Sequence, residues 1–174
     1  MDFFVVPTAT FGLLYVLVVM NHARRKVVHF NITDSPTAAW TAQQIVNAFP
    51  YDTAPRYLLR DRDSIYGAVF VQRVEGMGIE QKLIAPRSPW QNPFVERLIG
   101  SIRRECLDRV IVFHESQLRR ILASYFEYYH RVRPHRSLCH DSPFPRAIEL
   151  PESGKVVEMP LVGGLHHHYT RQAA

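Results

Sequence analysis

Three apolar runs, DFFVV, LLYVLVVM and KVVHFNI, fill most of the first 33 residues and are separated only by PTATFG and NHARR. Runs rich in β-branched and aromatic residues, joined by such short turn material, predict an antiparallel meander. The longest apolar stretch, FGLLYVLVVM from Phe11 to Met20, is about half of what a bilayer crossing needs. No basic n-region or small-residue cleavage site precedes it. It is expected to be a buried strand, and no membrane association is expected.

The next segment, SPTAAWTAQQIVNAF, has helical spacing with Ser35 or Thr37 as N-cap. A strand is expected at RYLLRD, a helix at AVFVQRVEGMG closed by Gly76 or Gly78, and a strand at EQKLIA. Strands joined by helical crossovers run parallel, so the order β-β-β-α-β-α-β predicts a mixed five-stranded sheet flanked by helices, an α/β fold. A long helix follows the loop PRSPWQNP, and another runs from Glu115 to about Arg131. Residues 1–133 are expected to form one compact unit. Residues 134–174, rich in Pro, Gly and His and poor in periodicity, are expected to be largely irregular, with His166, His167 and His168 a surface cluster near a frayed end.

A formal charge of +5 and a pI near 9.5 are compatible with a polyanionic partner. Cys106 and Cys139 follow no metal-binding spacing and form no disulfide framework, which suits a reducing cytoplasm.

The acidic residues carry more information. In SPWQNPFVERLIGSIRRECLD, Val95, Leu98, Ile99, Ile102 and Cys106 make one apolar helical stripe, with Glu96 and Arg103 together on its margin and Arg97 and Arg104 outward. Asp61 and Asp63 end a strand, where crossover sheets place their ligand sites. Asp2 is embedded in MDFFVV, an expensive place for an unpartnered carboxylate. Converging carboxylates repel one another, and a divalent cation relieves the repulsion; oxygen-only donors suit Mg2+ or Mn2+. Two such ions would serve in-line attack on a phosphodiester.

The element order, the 34 residues between Asp61 and Glu96, and the text SPWQNPFVERLIGSIRRE together resemble the DDE integrase catalytic core of bacterial insertion-sequence transposases and retroviral integrases, with its S-P-x-x-N-x-x-x-E signature. The segment YHRVRPHRSL is similar to the one that follows the core in bacterial members, with His130 in place of the usual Asn. The resemblance covers roughly residues 1–150.

It implies an RNase H-like fold and a DNA transposase or integrase activity, metal-dependent cleavage followed by strand transfer, with two Mg2+ or Mn2+ ions. Asp2, Asp61 and Glu96 become the catalytic, metal-binding residues, with Asp63 the alternative to Asp61 and Tyr66 at the family's tyrosine position. Arg103 becomes a DNA contact near the reacting end, and Arg87, Gln91, Asn92, Arg97 and Arg104 further candidates for holding DNA. The implied partners are transposon ends and target DNA, with a homo-oligomer as the working form in a bacterial cytoplasm, at the nucleoid. Relatives carry a helix-turn-helix region ahead of the core, so a missing upstream domain or a separate protein is expected to supply targeting. Asp2 is expected near a flexible end of the first strand. The competing expectation is a truncated, catalytically silent DNA-binding or assembly fragment.

Overall fold

The computed structural model describes residues 1–173. Strands β1 (Asp2–Pro7), β2 (Leu13–Asn21) and β3 (Lys26–Thr33) form an antiparallel sheet. In it Asp2 lies opposite Val18, and the β2–β3 register shifts between Val19 and Met20. Helix α1 (Ala38–Ala48) follows, capped by the Thr37 hydroxyl, which accepts from the Trp40 N–H. Then come β4 (Tyr57–Arg60), α2 (Ala68–Gly76) and β5 (Glu80–Leu83), with β4 and β5 parallel as the crossover requires. Gly78, at a φ of +73°, turns the chain from α2 into β5.

One expectation changes in form. The strands pair as a three-stranded and a two-stranded sheet rather than as one ladder of five. The pieces meet where the Met1 backbone nitrogen donates to the Leu59 carbonyl at 2.9 Å, beyond which four-residue β4 makes no ladder with β1.

β2 explains why its sequence is apolar on consecutive residues rather than alternate ones. Val16, Val18 and Met20 face a core with helices α3 (Pro93–Glu105) and α4 (Glu115–Arg131), while Leu17 and Val19 face a second core with α1 and α2. A strand buried on both faces has no polar side to show, and each such side chain contributes about 1.5–3 kcal/mol of burial. Val95, Leu98, Ile99, Ile102 and Cys106 are all buried along α3, as the stripe predicted.

The segment expected to be irregular holds a hairpin, β6 (Lys155–Leu161) antiparallel to β7 (His166–Gln172). It docks through His166, whose ring stacks on Tyr128 at 4.1 Å and whose Nε2 donates to the Glu105 carbonyl at 2.9 Å. His166 is therefore a packed residue and not part of a frayed end. Gly154 makes the entry possible: a Cβ there would lie 2.0 Å from the Gln172 carbonyl oxygen.

At the end of α3, Glu105 accepts from Arg133 Nε and Nη2, at 2.8 and 2.6 Å, and from the Tyr125 hydroxyl at 2.8 Å. Burial alone would raise this carboxyl; the bonds from Arg133 and Tyr125 hold it below its ordinary range. His130, which stands where an Asn was expected, is buried and accepts the Val27 N–H on Nε2 at 2.9 Å. That acceptor must be unprotonated, and burial pushes the ring down to about 4.

Because the folded pKa lies below the ordinary value near 6.5, protons enter the unfolded chain first. The stability this histidine contributes is complete above about pH 6.5 and is lost as pH falls towards about 4, on the order of 3 kcal/mol in total. Urea unfolding of wild type and His130→Asn is expected to show a gap that narrows across that interval. A gap constant with pH would refute the assignment.

Candidate active site

Asp2, Asp61, Asp63 and Glu96 line one cleft of about 670 Å³, together with Arg62, Arg87 and Arg103. Phe4, Ile84 and Ile99 supply apolar wall. Three structural elements deliver the acids: the start of β1, the loop after β4, and the first turn of α3.

Asp2 is half-buried, and its Oδ1 accepts the Phe3 N–H at 2.7 Å. Burial pushes its carboxyl up to about 6; the Phe3 bond opposes this, and the neighbouring charges of Asp61 and Glu96 add to it. Asp2 thus feels both other acids. Asp2 is also firmly held, contrary to the expectation of a flexible end. Met1 is 2% exposed, its nitrogen donates to Leu59, and its carbonyl accepts from Asn92 Nδ2 at 3.2 Å.

Asp61 and Asp63 are separated by their bonding. Asp63 Oδ1 accepts the Ile65 N–H at 2.9 Å and so caps its own turn. Asp61 Oδ1 accepts only a long bond, 3.3 Å, from the Asp63 N–H. Asp61 also acts on Asp2, whereas Asp63 does not figure among the charges that shift it. Glu96 is exposed and forms no salt bridge among the described residues, so neither Arg97 nor Arg103 neutralises it.

Behind Asp61, Tyr66 is buried with its hydroxyl lacking any partner among the described residues. Burial first, then Asp61 and Asp2, drive its pKa well above the usual range, so it stays a neutral phenol. Arg60 lies 4.7 Å over the Tyr66 ring, bonds Gln81 Oε1, and fixes the loop through the Asp61 carbonyl at 2.8 Å.

The basic candidates divide. Arg103 reaches the cleft and donates to the Val5 carbonyl at 3.3 Å, and Arg87 lines the cleft from a left-handed backbone position at φ 56°. Arg97 and Arg104 are exposed on α3 but do not line the cleft. Gln91 Oε1 accepts the Ala85 N–H at 2.7 Å, closing its loop. Asn92, expected to touch DNA, is 1% exposed and turned inward onto Met1, a bond it can make only by leaving the surface. Arg62 was missed by the sequence reading; its place between Asp61 and Asp63 was the available signal. Its Nε donates to the Ile84 carbonyl at 3.1 Å, holding it at the cleft.

Among the described residues, no three His, Cys, Asp or Glu groups are close enough to form a ready-made metal cage. The donors nevertheless suit a hard divalent cation: oxygen only, with the Asp2 carboxyl raised by burial and further by the charges of Asp61 and Glu96. No helix among the described residues is long and apolar enough to cross a membrane.

Comparison with known proteins bears on the family and the fold. Residues 77–143 match the family model described as integrase core domain. An uncharacterised 39.2 kDa protein of insertion element IS476 from Xanthomonas euvesicatoria is 27% identical over 138 residues, 79% of this chain and 40% of that protein. The chain thus spans less than half the length of this curated relative. Among solved structures, a chain of the simian T-cell lymphotropic virus intasome, determined in complex with the PP2A regulatory subunit B56 gamma, superposes with a TM-score of 0.68. It shares 14% identity, over 97% of this chain and 64% of that one. The catalytic core domain of BIV integrase gives 0.53 at 14% identity, over 82% of this chain and 88% of that one. At such identity the structures speak for the fold alone, that of integrase catalytic cores.

Proposed function

We propose that this chain, similar to integrase cores in sequence and in fold, is the catalytic core of a DNA transposase or integrase of the DDE type. The observation that carries the reading is the convergence of Asp2, Asp61 and Glu96 on one cleft from three separate elements, with Glu96 left without a counter-charge. These three would hold Mg2+ or Mn2+, and the bound ions would supply a more acidic water or 3′-hydroxyl and charge neutralisation at the phosphorus. Asp63 stays with its turn.

The remaining residues act on the DNA. Arg62, Arg87 and Arg103 ring the acids with fixed positive charge that draws a phosphodiester into a cleft it would otherwise avoid. Tyr66 and Arg60 form the wall that fixes Asp61. Water attack cleaves the strand, and attack by the freed 3′-hydroxyl joins it to a target. The Met1–Leu59 bond supports reading β3-β2-β1-β4-β5 as one mixed, RNase H-like surface, and residues 1–133 as the core. Transposon ends and target DNA are the partners, in a homo-oligomer in the bacterial cytoplasm, with a helix-turn-helix region elsewhere supplying specificity.

A second reading, a silent DNA-binding or assembly fragment, draws on the looseness of the acid cluster. Nicking and strand transfer on labelled DNA with Mg2+ or Mn2+ separate the two. Wild type is expected to cut, and Glu96→Gln and Asp61→Asn are expected to abolish cutting while Asp63→Asn retains most of it. Binding without cutting by wild type favours the fragment; cutting unaffected by Glu96→Gln refutes the triad.

A further inference from the structure

On the other margin of α3 lies a second pocket, of about 70 Å³, lined by Arg25, Arg97 and Arg133, by the hydroxyl residues Ser101 and Ser137, and by His135. Its α3 members Phe94, Arg97, Leu98 and Ser101 fall at i, i+3, i+4 and i+7, whereas Glu96, Ile99 and Arg103 line the acid cleft. At 3.6 residues per turn the two sets lie about half a turn apart, with the buried stripe between them. This pocket is therefore separate from the acid site.

Its charge is unbalanced. No carboxylate lines it, and Glu105, the partner of Arg133, is already saturated by Arg133 and Tyr125. Arg97 makes no hydrogen bond or ion pair among the described residues. Arg25 sits at a left-handed φ of 59°, a conformation a non-glycine residue adopts at a cost, and this backbone sets its guanidinium 3.6 Å over the Phe94 ring. The stack occupies the face of the Arg25 group and its Nη1 donates to the His22 carbonyl, which leaves the Nε and Nη2 edge for an acceptor. His135 contributes shape rather than charge: burial lowers its pKa, and its Nε2 proton goes to the Tyr129 carbonyl at 3.1 Å.

We infer that this pocket binds one phosphate group, held by Arg25 and Arg97 with the Ser101 and Ser137 hydroxyls, at a position distinct from the reacting phosphodiester. The space accommodates a group of a few heavy atoms, and forked guanidiniums beside hydroxyl donors match a tetrahedral oxyanion. The phosphate comes either from a DNA backbone, in which case the inference rests on the polynucleotide reading above, or from a free anion.

Calorimetric titration with inorganic phosphate at constant ionic strength tests the pocket itself. Saturable binding is expected for wild type and for Arg120→Ala, whose exposed residue on α4 lies outside the pocket. Arg97→Ala is expected to weaken it about tenfold, and Ser137→Ala to weaken it measurably. Both altered residues are exposed, and unchanged circular dichroism verifies their fold. Absence of saturable binding in wild type, or equal binding in Arg97→Ala, overturns the inference.

The source follows from the salt dependence of duplex binding. A slope reduced by about one in Arg97→Ala assigns a backbone phosphate; an unchanged slope with lost phosphate binding assigns a free anion. Neither readout involves cutting, so the pocket can fail while the triad stands, and the reverse.

Discussion

Asp2→Asn is expected to raise the stability of the metal-free protein while lowering DNA cutting by on the order of a thousand-fold, the scale seen when a group stabilising developing charge is removed. The two effects have one cause. The Asp2 carboxyl is raised to about 6 by burial and by Asp61 and Glu96, so its ionised form opposes folding. For a folded pKa above the ordinary 3.8, the stability attached to the protonated form is complete below that value and is lost as pH rises through about 6. The loss at pH 8 is on the order of 2–3 kcal/mol, which at this chain length is roughly 5–10 °C of melting temperature.

Thermal unfolding in EDTA should therefore place Asp2→Asn above wild type at pH 8 and nearer to it at pH 5. Mg2+ should raise wild type and leave the variant unmoved. A variant less stable than wild type at pH 8, or an equal response to Mg2+, would contradict the placement of this acid. The trend opposes that of His130 over part of the same pH range, so only comparisons between variants, not the raw wild-type curve, resolve the two.

Arg133→Ala is expected to cost about 2–4 kcal/mol. Removing one partner of a buried pair strands the other, and here the stranded group is Glu105 at the end of α3, left with only the Tyr125 hydroxyl. The figure lies towards the low side of the buried range because about a quarter of each side chain is solvent-exposed. Arg133→Lys should recover little, since an ammonium cannot reproduce the two-nitrogen fork that meets both carboxylate oxygens. Urea midpoints measure both; a change in Arg133→Ala below about 0.5 kcal/mol would show that water replaces the pair without loss.

Elements up to Arg131 were legible because their periods are clean. Seven strands and helices before α3 follow from apolar runs and turn residues, and the stripe on α3 matches its burial residue for residue. The hairpin was not legible: in KVVEMPL the alternation of Val157, Met159 and Leu161 is short and interrupted by Pro160, HHHYTRQ has no apolar face of strand period, and what orders β7 is a tertiary stack of His166 on Tyr128. Spacing singled out Asp61 and Glu96, which do line one cleft with Asp2, but spacing cannot report depth. Nothing in SPWQNP distinguishes an asparagine facing DNA from one turned inward, and Asn92 turns inward because Met1 presents a carbonyl there.

That inward bond joins residues 91 positions apart, one next to Asp2 and the other at the threshold of the helix that carries Glu96. Closing so long a loop is entropically costly and comes late in folding. During synthesis, then, the cleft stays unassembled until the ribosome has released both ends of that span and the sheet between them has formed. A nascent or partly folded copy carries the acids but not their arrangement, so the cleft exists only once the sheet and helix have closed on each other.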